Sequence, residues 1–390
     1  MANSPPTVTG GYNERMAEEK QHSRRAFLQG RAAAQTVAER LLDVAQQWAD
    51  SATELIADRF PETPTIHVEA TRRAMACEFA VRYHEVDRQL VGPILAAFDE
   101  IETVEDRLTI YRDESEVVEV NRQSAYAPCG VGEELYSLLQ LSEKLYFETE
   151  GAFDITGTPL SRVWGFFKRA GRLPSEEEIA AARAAVGMPY VKLTASDHSV
   201  EFTHPGVEIN FNAIGKGYAL DRIAAMLDER GAHDYLWHGG RSSILARGRN
   251  HGDDRECWSI GLQDPIRPQT RLGEFHLRSC ALGTSGGGTQ FFECEGRRYS
   301  HILDPRTGWP AGGVYTATVI SASAAEADAL STAAFVLGPE GTARLCRRRP
   351  DIGVVLVCPS STEFGMTVFT GNLTAEVWTP QCDPQILAVL

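Results

Sequence analysis

Hydrophobic period is the feature that most constrains the fold of this chain, because it switches repeatedly between two residues and about three and a half. The segments "EFAVRYH", "YVKLT", "VEFT", "WSIGL", "YTATVIS", "IGVVLVC" and "MTVFTG" read as strands. Helical spacing holds around 91 to 107, 133 to 149, 175 to 186, 214 to 230 and 325 to 337. The two kinds interleave without a regular strand–helix–strand count, which argues against a parallel doubly wound sheet. The pattern predicts an α+β fold with antiparallel sheets and flanking helices, and there is no internal repeat. The breaker "FPETPT" at 60 to 65 divides an N-terminal extension, 1 to 64, from a main domain, 65 to 390.

Residues 1 to 30 are polar and expected to be mobile. "SRRAFLQG", 23 to 30, is similar to a twin-arginine export signal, but Arg31, Glu39, Arg40 and Asp43 interrupt the apolar run such a signal needs. That stretch reads as an amphipathic helix with Val37, Leu41, Val44 and Trp48 on one face, and a cytoplasmic protein is expected. No run of 18 apolar residues is present, so stable membrane insertion is not expected. A net charge of -15 disfavours nucleic acid and anionic membranes as partners. The basic cluster Arg344, Arg347, Arg348 and Arg349 reads as a solvated helix end. The eight cysteines include no C-x-x-C pair, and those in "GVVLVCP" and "LRSCALG" read as buried thiols.

Six segments offer chemistry, each with a bland alternative. "HILDPRTGWP", 301 to 310, sets His301, Asp304 and Arg306 on a turn with Pro305 at its second position; turn chemistry explains Pro305 and Gly308 but not His301 and Arg306. In "SASAAEADALSTAAFVLG", Ser323 and Glu326 have capping-box spacing. The register then places Asp328 and Thr332 four residues apart on one helix face, where two hard oxygens suit Mg²⁺ or where an ordinary polar pair simply packs. "EINFNAIGKGYALDRIAAML" runs from a strand through Gly215, Lys216 and Gly217 into a helix, a weak phosphate cradle that is not a P-loop. "HGGRSSILARG" and "GTSGGGTQ" read first as hairpin glycines. In "ETEGAFDITGTPLSRVWGF", Asp154 reads first as a turn or cap residue.

Taken in order, "RAMACEF", "LTIYRDESEVVEVN", "GAFDITGTPLSRVWGF", "NAIGKGYALD", "GTSG", "HILDPRTG" and "ADALSTAAFVLG" resemble the ApbE family of flavin transferases over about residues 66 to 370. The resemblance implies a two-lobed, T-fold-related α+β domain with FAD in a cleft between lobes. It implies Mg²⁺-dependent transfer of FMN from FAD to a threonine, sometimes serine, hydroxyl of an acceptor protein, with release of AMP. The acceptor would carry a Ser-Gly-Ala-Thr type of motif and would include subunits of redox complexes. By the same resemblance Asp328, Thr332 and the Ala213 carbonyl hold the metal, and His301 is the base, with Asp328 also counted as catalytic. Met75, Tyr111, Asp154, Lys216, Thr284, Ser285 and Arg306 then lie against FAD. Arg306 has a rival role, pairing with Asp304 inside its turn.

The chain departs from the family pattern at Asn210 and Asn212, where an Asp is usual before the "IGKG" turn, at "GGRSS" in place of "GGD", and at "TSGGG", which lacks an acidic residue. Loss of a charge at Asn210 would weaken metal binding if that Asp tunes the site, and would change little if it only bonds the turn. Two alternatives therefore stand beside transfer: hydrolysis of FAD to FMN and AMP, and a flavin-binding or assembly factor without turnover.

Overall fold

The computed structural model describes residues 66 to 390, apart from 169, 252, 254, 289, 290 and 362 to 364. The expected extension, its amphipathic helix and the "SRRAFLQG" stretch lie outside the described residues.

Nine strands form the main sheet: β1 His67–Ala74, β2 Cys77–His84, β3 Tyr235–Gly239, β4 Ser243–Arg247, β5 Ala281–Gly286, β6 Thr316–Ser321, β7 Gly353–Pro359, β8 Met366–Gly371 and β9 Leu387–Val389. Their order in the sheet is their order in the chain, and every pair is antiparallel except β8 with β9. The α+β expectation holds. Strict alternation divides the faces: Trp237 and Leu245 point to one core, while Leu236, Ile244 and Ala246 point to another. Helices cover the first face. The second is covered by a three-stranded sheet of Trp258–Gln263, Arg271–Leu277 and Trp378–Pro380.

A long insertion separates β2 from β3. It contains α1 Val91–Leu108, α2 Glu116–Gln123, α3 Glu133–Glu148, α4 Thr158–Val163, α5 Glu176–Arg183 and α6 Gly215–Asp228, and a small sheet of Cys129–Gly130, Val191–Thr194 and Ser199–Phe202. The six residues of α4 complete fewer than two turns and so escape periodicity, while α2, no shorter than the expected α5, was not anticipated. The last helix, α7 Ala324–Arg348, runs beyond the expected 337, but Gly338 takes a φ of 65° and Pro339 follows, so two helical pieces meet at a break.

Only half of the expected capping box forms at α7. Ser323 Oγ accepts from the Glu326 amide at 3.2 Å, but the Glu326 carboxylate turns away to Arg349, Lys144 and Ser321. The Asp221 carboxylate on α6 takes over, accepting from the amides of Ala324 (2.8 Å) and Ala325 (2.9 Å) and from Ser323 Oγ (2.7 Å). The basic cluster is likewise not simply solvated: Arg349 binds Glu148, Glu326 and Asp351, while Arg344 and Arg348 bind Glu150. Cys358 is buried as expected, which pushes its thiol up to about 11, whereas Cys280 is half-buried.

Two glycines let α7 approach its neighbours at backbone distance. A Cβ on Gly217 of α6 would lie 2.0 Å from the Ala324 carbonyl oxygen, and one on Gly283 of β5 would lie 2.3 Å from that of Ala327. In both cases the obstacle is backbone, which cannot swing aside. We expect Gly217→Ala and Gly283→Ala each to destabilise the fold by about 3 kcal/mol, read as a lower denaturant midpoint with an unchanged m value. An unaltered midpoint would show that the helix does not sit this close.

Candidate active site

Asp328 and Thr332 stand one turn apart on α7 and line one cavity of about 350 Å³, as their spacing predicts. Around them the cavity gathers Ala213 and Lys216 from the turn into α6, Thr284 and Ser285 from β5, Asp154 from the insertion, and His301 and Tyr111. A second cavity of about 540 Å³ shares Tyr111, Phe166, Asn212, Lys216 and His301, and adds Met75 and Glu105.

Asp328 is 5% exposed, and burial pushes its carboxyl above the ordinary range. Three groups oppose that and favour the charged form: the Gly217 amide donates to Oδ2 at 2.8 Å, Ser243 Oγ donates to it at 2.9 Å, and the Lys216 ammonium lies 3.6 Å away. All three act on the same oxygen. Thr332 Oγ1 lies 3.3 Å from the Asp328 carbonyl and 3.0 Å from Ser285 Oγ, which also meets Ser331 Oγ at 2.9 Å. The carboxylate and the hydroxyl are hard oxygen donors of the kind Mg²⁺ takes, and Ala213 lines the same cavity. Among the described residues no three His, Cys, Asp or Glu side chains cluster for a metal, so this one-carboxylate set would need substrate or water oxygens to complete it.

His301 lines both cavities. The turn after it is fixed from within. The Asp304 carbonyl accepts from the amides of Thr307 (3.2 Å) and Gly308 (2.8 Å), Gly308 has a φ of 80°, and the buried Trp164 ring donates to the Gly308 carbonyl at 2.8 Å. Arg306 spends its guanidinium inside this turn, donating to both Asp304 oxygens at 2.9 Å, and it is absent from the cavity lining. Of the two roles the sequence left open, the structure forms the Asp304 pair.

Asp154 combines turn and cavity roles. Its Oδ1 accepts from the Thr156 amide at 2.8 Å and hydroxyl at 2.6 Å, and burial raises its pKa to about 6 against the pull of those bonds. Met75 and Ala76 alone connect β1 to β2, with φ values of 48° and 58° that usually call for glycine or asparagine. The Met75 amide is anchored by Glu105 Oε2 at 2.8 Å, so a strained turn forms the wall of the second cavity. Tyr111 is largely exposed beside Phe167, with ring centres 5.3 Å apart. Thr284 and Ser285 alternate as strand residues must: Ser285 meets α7, while the Thr284 hydroxyl pairs with Thr318 at 3.0 Å. Asn210 donates its amide to Thr158 Oγ1 at 2.5 Å and accepts from the Asn212 amide at 3.2 Å, so it bonds the turn.

Sequence reasoning missed Ser243 and Ser331. Ser331 lies three residues after Asp328, so the helix register alone would have found it. Ser243 sits in a segment read as hairpin glycines, and only pairing across the sheet brings it under α7.

The model described as "ApbE family" matches residues 75 to 356, most of the chain. The chain belongs to the ApbE family. Among its relatives, a FAD:protein FMN transferase of Vibrio cholerae serotype O1 is 32% identical over 244 residues, which is 62% of this chain and 72% of that one. The Escherichia coli (strain K12) FAD:protein FMN transferase is 30% identical over 247 residues, 62% of this chain and 70% of its own. The crystal structure of the Thermotoga maritima ApbE protein matches with a TM-score of 0.70 at 28% identity, covering 78% of this chain and 96% of that one. The Pseudomonas stutzeri flavinyl transferase ApbE, in its apo form, matches with the same TM-score and identity over 80% and 96%. Among the described residues no helix of this ApbE chain is long and apolar enough to cross a membrane.

The raised pKa of Asp154 gives a stability test. Between about pH 4 and 6 the folded chain keeps a proton that the unfolded chain has released, so this group's contribution falls as pH rises through that window. Asp154→Asn keeps the acceptor for Thr156 and removes the titration. Relative to the parent it should gain stability on the order of 2 kcal/mol on going from pH 4 to pH 7, read from urea midpoints. Parallel pH profiles for the two proteins would refute the assignment.

Proposed function

We propose that this chain transfers the FMN half of FAD to a threonine or serine hydroxyl of an acceptor protein, releasing AMP, with Mg²⁺ bound by Asp328, Thr332 and the Ala213 carbonyl. Its relatives carry the name FAD:protein FMN transferase. The observation that carries the reading to this chain is that Asp328, Thr332, Ala213, Lys216 and His301 all line one cavity.

The two adjoining cavities share His301 and Lys216, and we assign the FAD diphosphate to their junction. Bound there, Mg²⁺ would supply positive charge against the diphosphate oxygens. Lys216 adds a second positive charge at the same place, and its ammonium already faces the carboxylate that would hold the metal. His301 takes the proton from the acceptor hydroxyl. That oxygen forms its bond to the FMN phosphorus as the bond from this phosphorus to the bridging oxygen breaks, and AMP leaves with the electron pair. The fixed turn after His301 would hold the base at the cavity that Asp328 and Thr332 line, which supplies orientation that a mobile loop would not. Tyr111 and Met75 offer apolar surface for the flavin or adenine ring. The acceptor is an extended segment with a Ser-Gly-Ala-Thr type of motif, on a redox-complex subunit.

The test is incubation with FAD, Mg²⁺ and such an acceptor domain, with mass spectrometry for the FMN adduct and chromatography for AMP. Asp328→Ala should abolish the adduct, and His301→Ala should slow its formation by about 10²- to 10⁴-fold while FAD still binds. AMP without adduct would replace transfer by hydrolysis. FAD bound and unchanged would leave a binding protein.

A further inference from the structure

We propose that Ser243 is a positioning residue that decides which oxygen of the Asp328 carboxylate a divalent cation meets; this rests on the metal reading above. Ser243 is 1% exposed at the start of β4, between Gly239 on β3 and Gly283 on β5. Its two neighbours across the sheet carry no side chain, and at Gly283 the space is filled by the backbone of α7. The serine therefore stands directly beneath the helix turn that bears Asp328.

An ionised carboxylate only accepts, so the Ser243 hydroxyl donates in the 2.9 Å contact. The Gly217 amide donates to the same oxygen at 2.8 Å from a different element, the first turn of α6. Two donors arriving from a strand and from a helix fix the rotation of the carboxylate plane, which one donor alone would leave free. Both fall on Oδ2, and so does the Lys216 ammonium at 3.6 Å. Oδ1 is thereby the oxygen presented to a cation, and the carboxylate acts through one oxygen. That suits Mg²⁺, which tolerates little departure from octahedral geometry and keeps room for water and phosphate. Without the hydroxyl the carboxylate turns more freely, and Lys216 competes for both oxygens.

Loss of a partner that orients a metal ligand typically weakens affinity about 10- to 100-fold, and that is the expected effect of Ser243→Ala. The probe is Mn²⁺, titrated into the full chain with and without FAD and followed by the electron paramagnetic resonance of the free ion, so no turnover is needed. Ser243→Thr restores the hydroxyl and should bring affinity back to within about threefold of the parent, with all three proteins folded by circular dichroism in EDTA at the titration temperature. Wild-type Mn²⁺ affinity in Ser243→Ala would overturn the inference and leave the metal reading standing. Equal weakening in the Ala and Thr variants would also overturn it, because volume rather than the hydroxyl would then be acting. A parent chain that binds no Mn²⁺ with FAD present would remove the metal reading, and this inference with it.

Discussion

Burying the Asp328 carboxylate is the constraint around which the rest is arranged. An isolated charge in a protein interior is too costly to keep, so such a group must be ringed by donors or surrender its charge. Here the ring is built from an amide at the start of α6, a hydroxyl on β4 and an ammonium on α6. Each donor reaches the carboxylate only because α7 lies at backbone distance from α6 and β5, and Gly217 and Gly283 are what permit that distance. Asp221 completes the arrangement by capping α7 from α6, which ties the position of the helix that carries Asp328 to the helix that carries Lys216.

The main sheet follows chain order, yet the cavity draws on segments that are far apart in sequence. The insertion between β2 and β3 supplies Tyr111, Asp154 and the turn with Ala213, while β5, the His301 turn and α7 come from the later part of the sheet. One buried ring links the two groups. Trp164, from the insertion, donates to the Gly308 carbonyl and packs among Tyr299, Phe292 and Trp309. The turn after His301 is thus held by the same segment that contributes the other cavity wall.

The asparagine and serine positions singled out in the sequence take on physical meaning in this setting. Asn210 donates to Thr158 Oγ1, a bond in which an ionised aspartate would have to accept instead. In "GGRSS" the Ser243 hydroxyl donates to Asp328, a bond that an acceptor-only carboxylate in that segment could not make.

Periodicity and turn chemistry determined a good deal: the α+β class, most of the long helices and inner strands, the Asp328 and Thr332 face, and the Asp304 turn. These follow from local spacing, which a chain carries wherever it folds. Short helices such as Thr158–Val163 were not legible, because their few residues show no period and exist by packing. The cross-helix cap by Asp221 and the seating of Ser243 under Asp328 were decided by tertiary structure alone. Each depends on which atoms are brought within 3 Å by a sheet register or a helix approach, and neither distance is encoded in the spacing of residues along the chain.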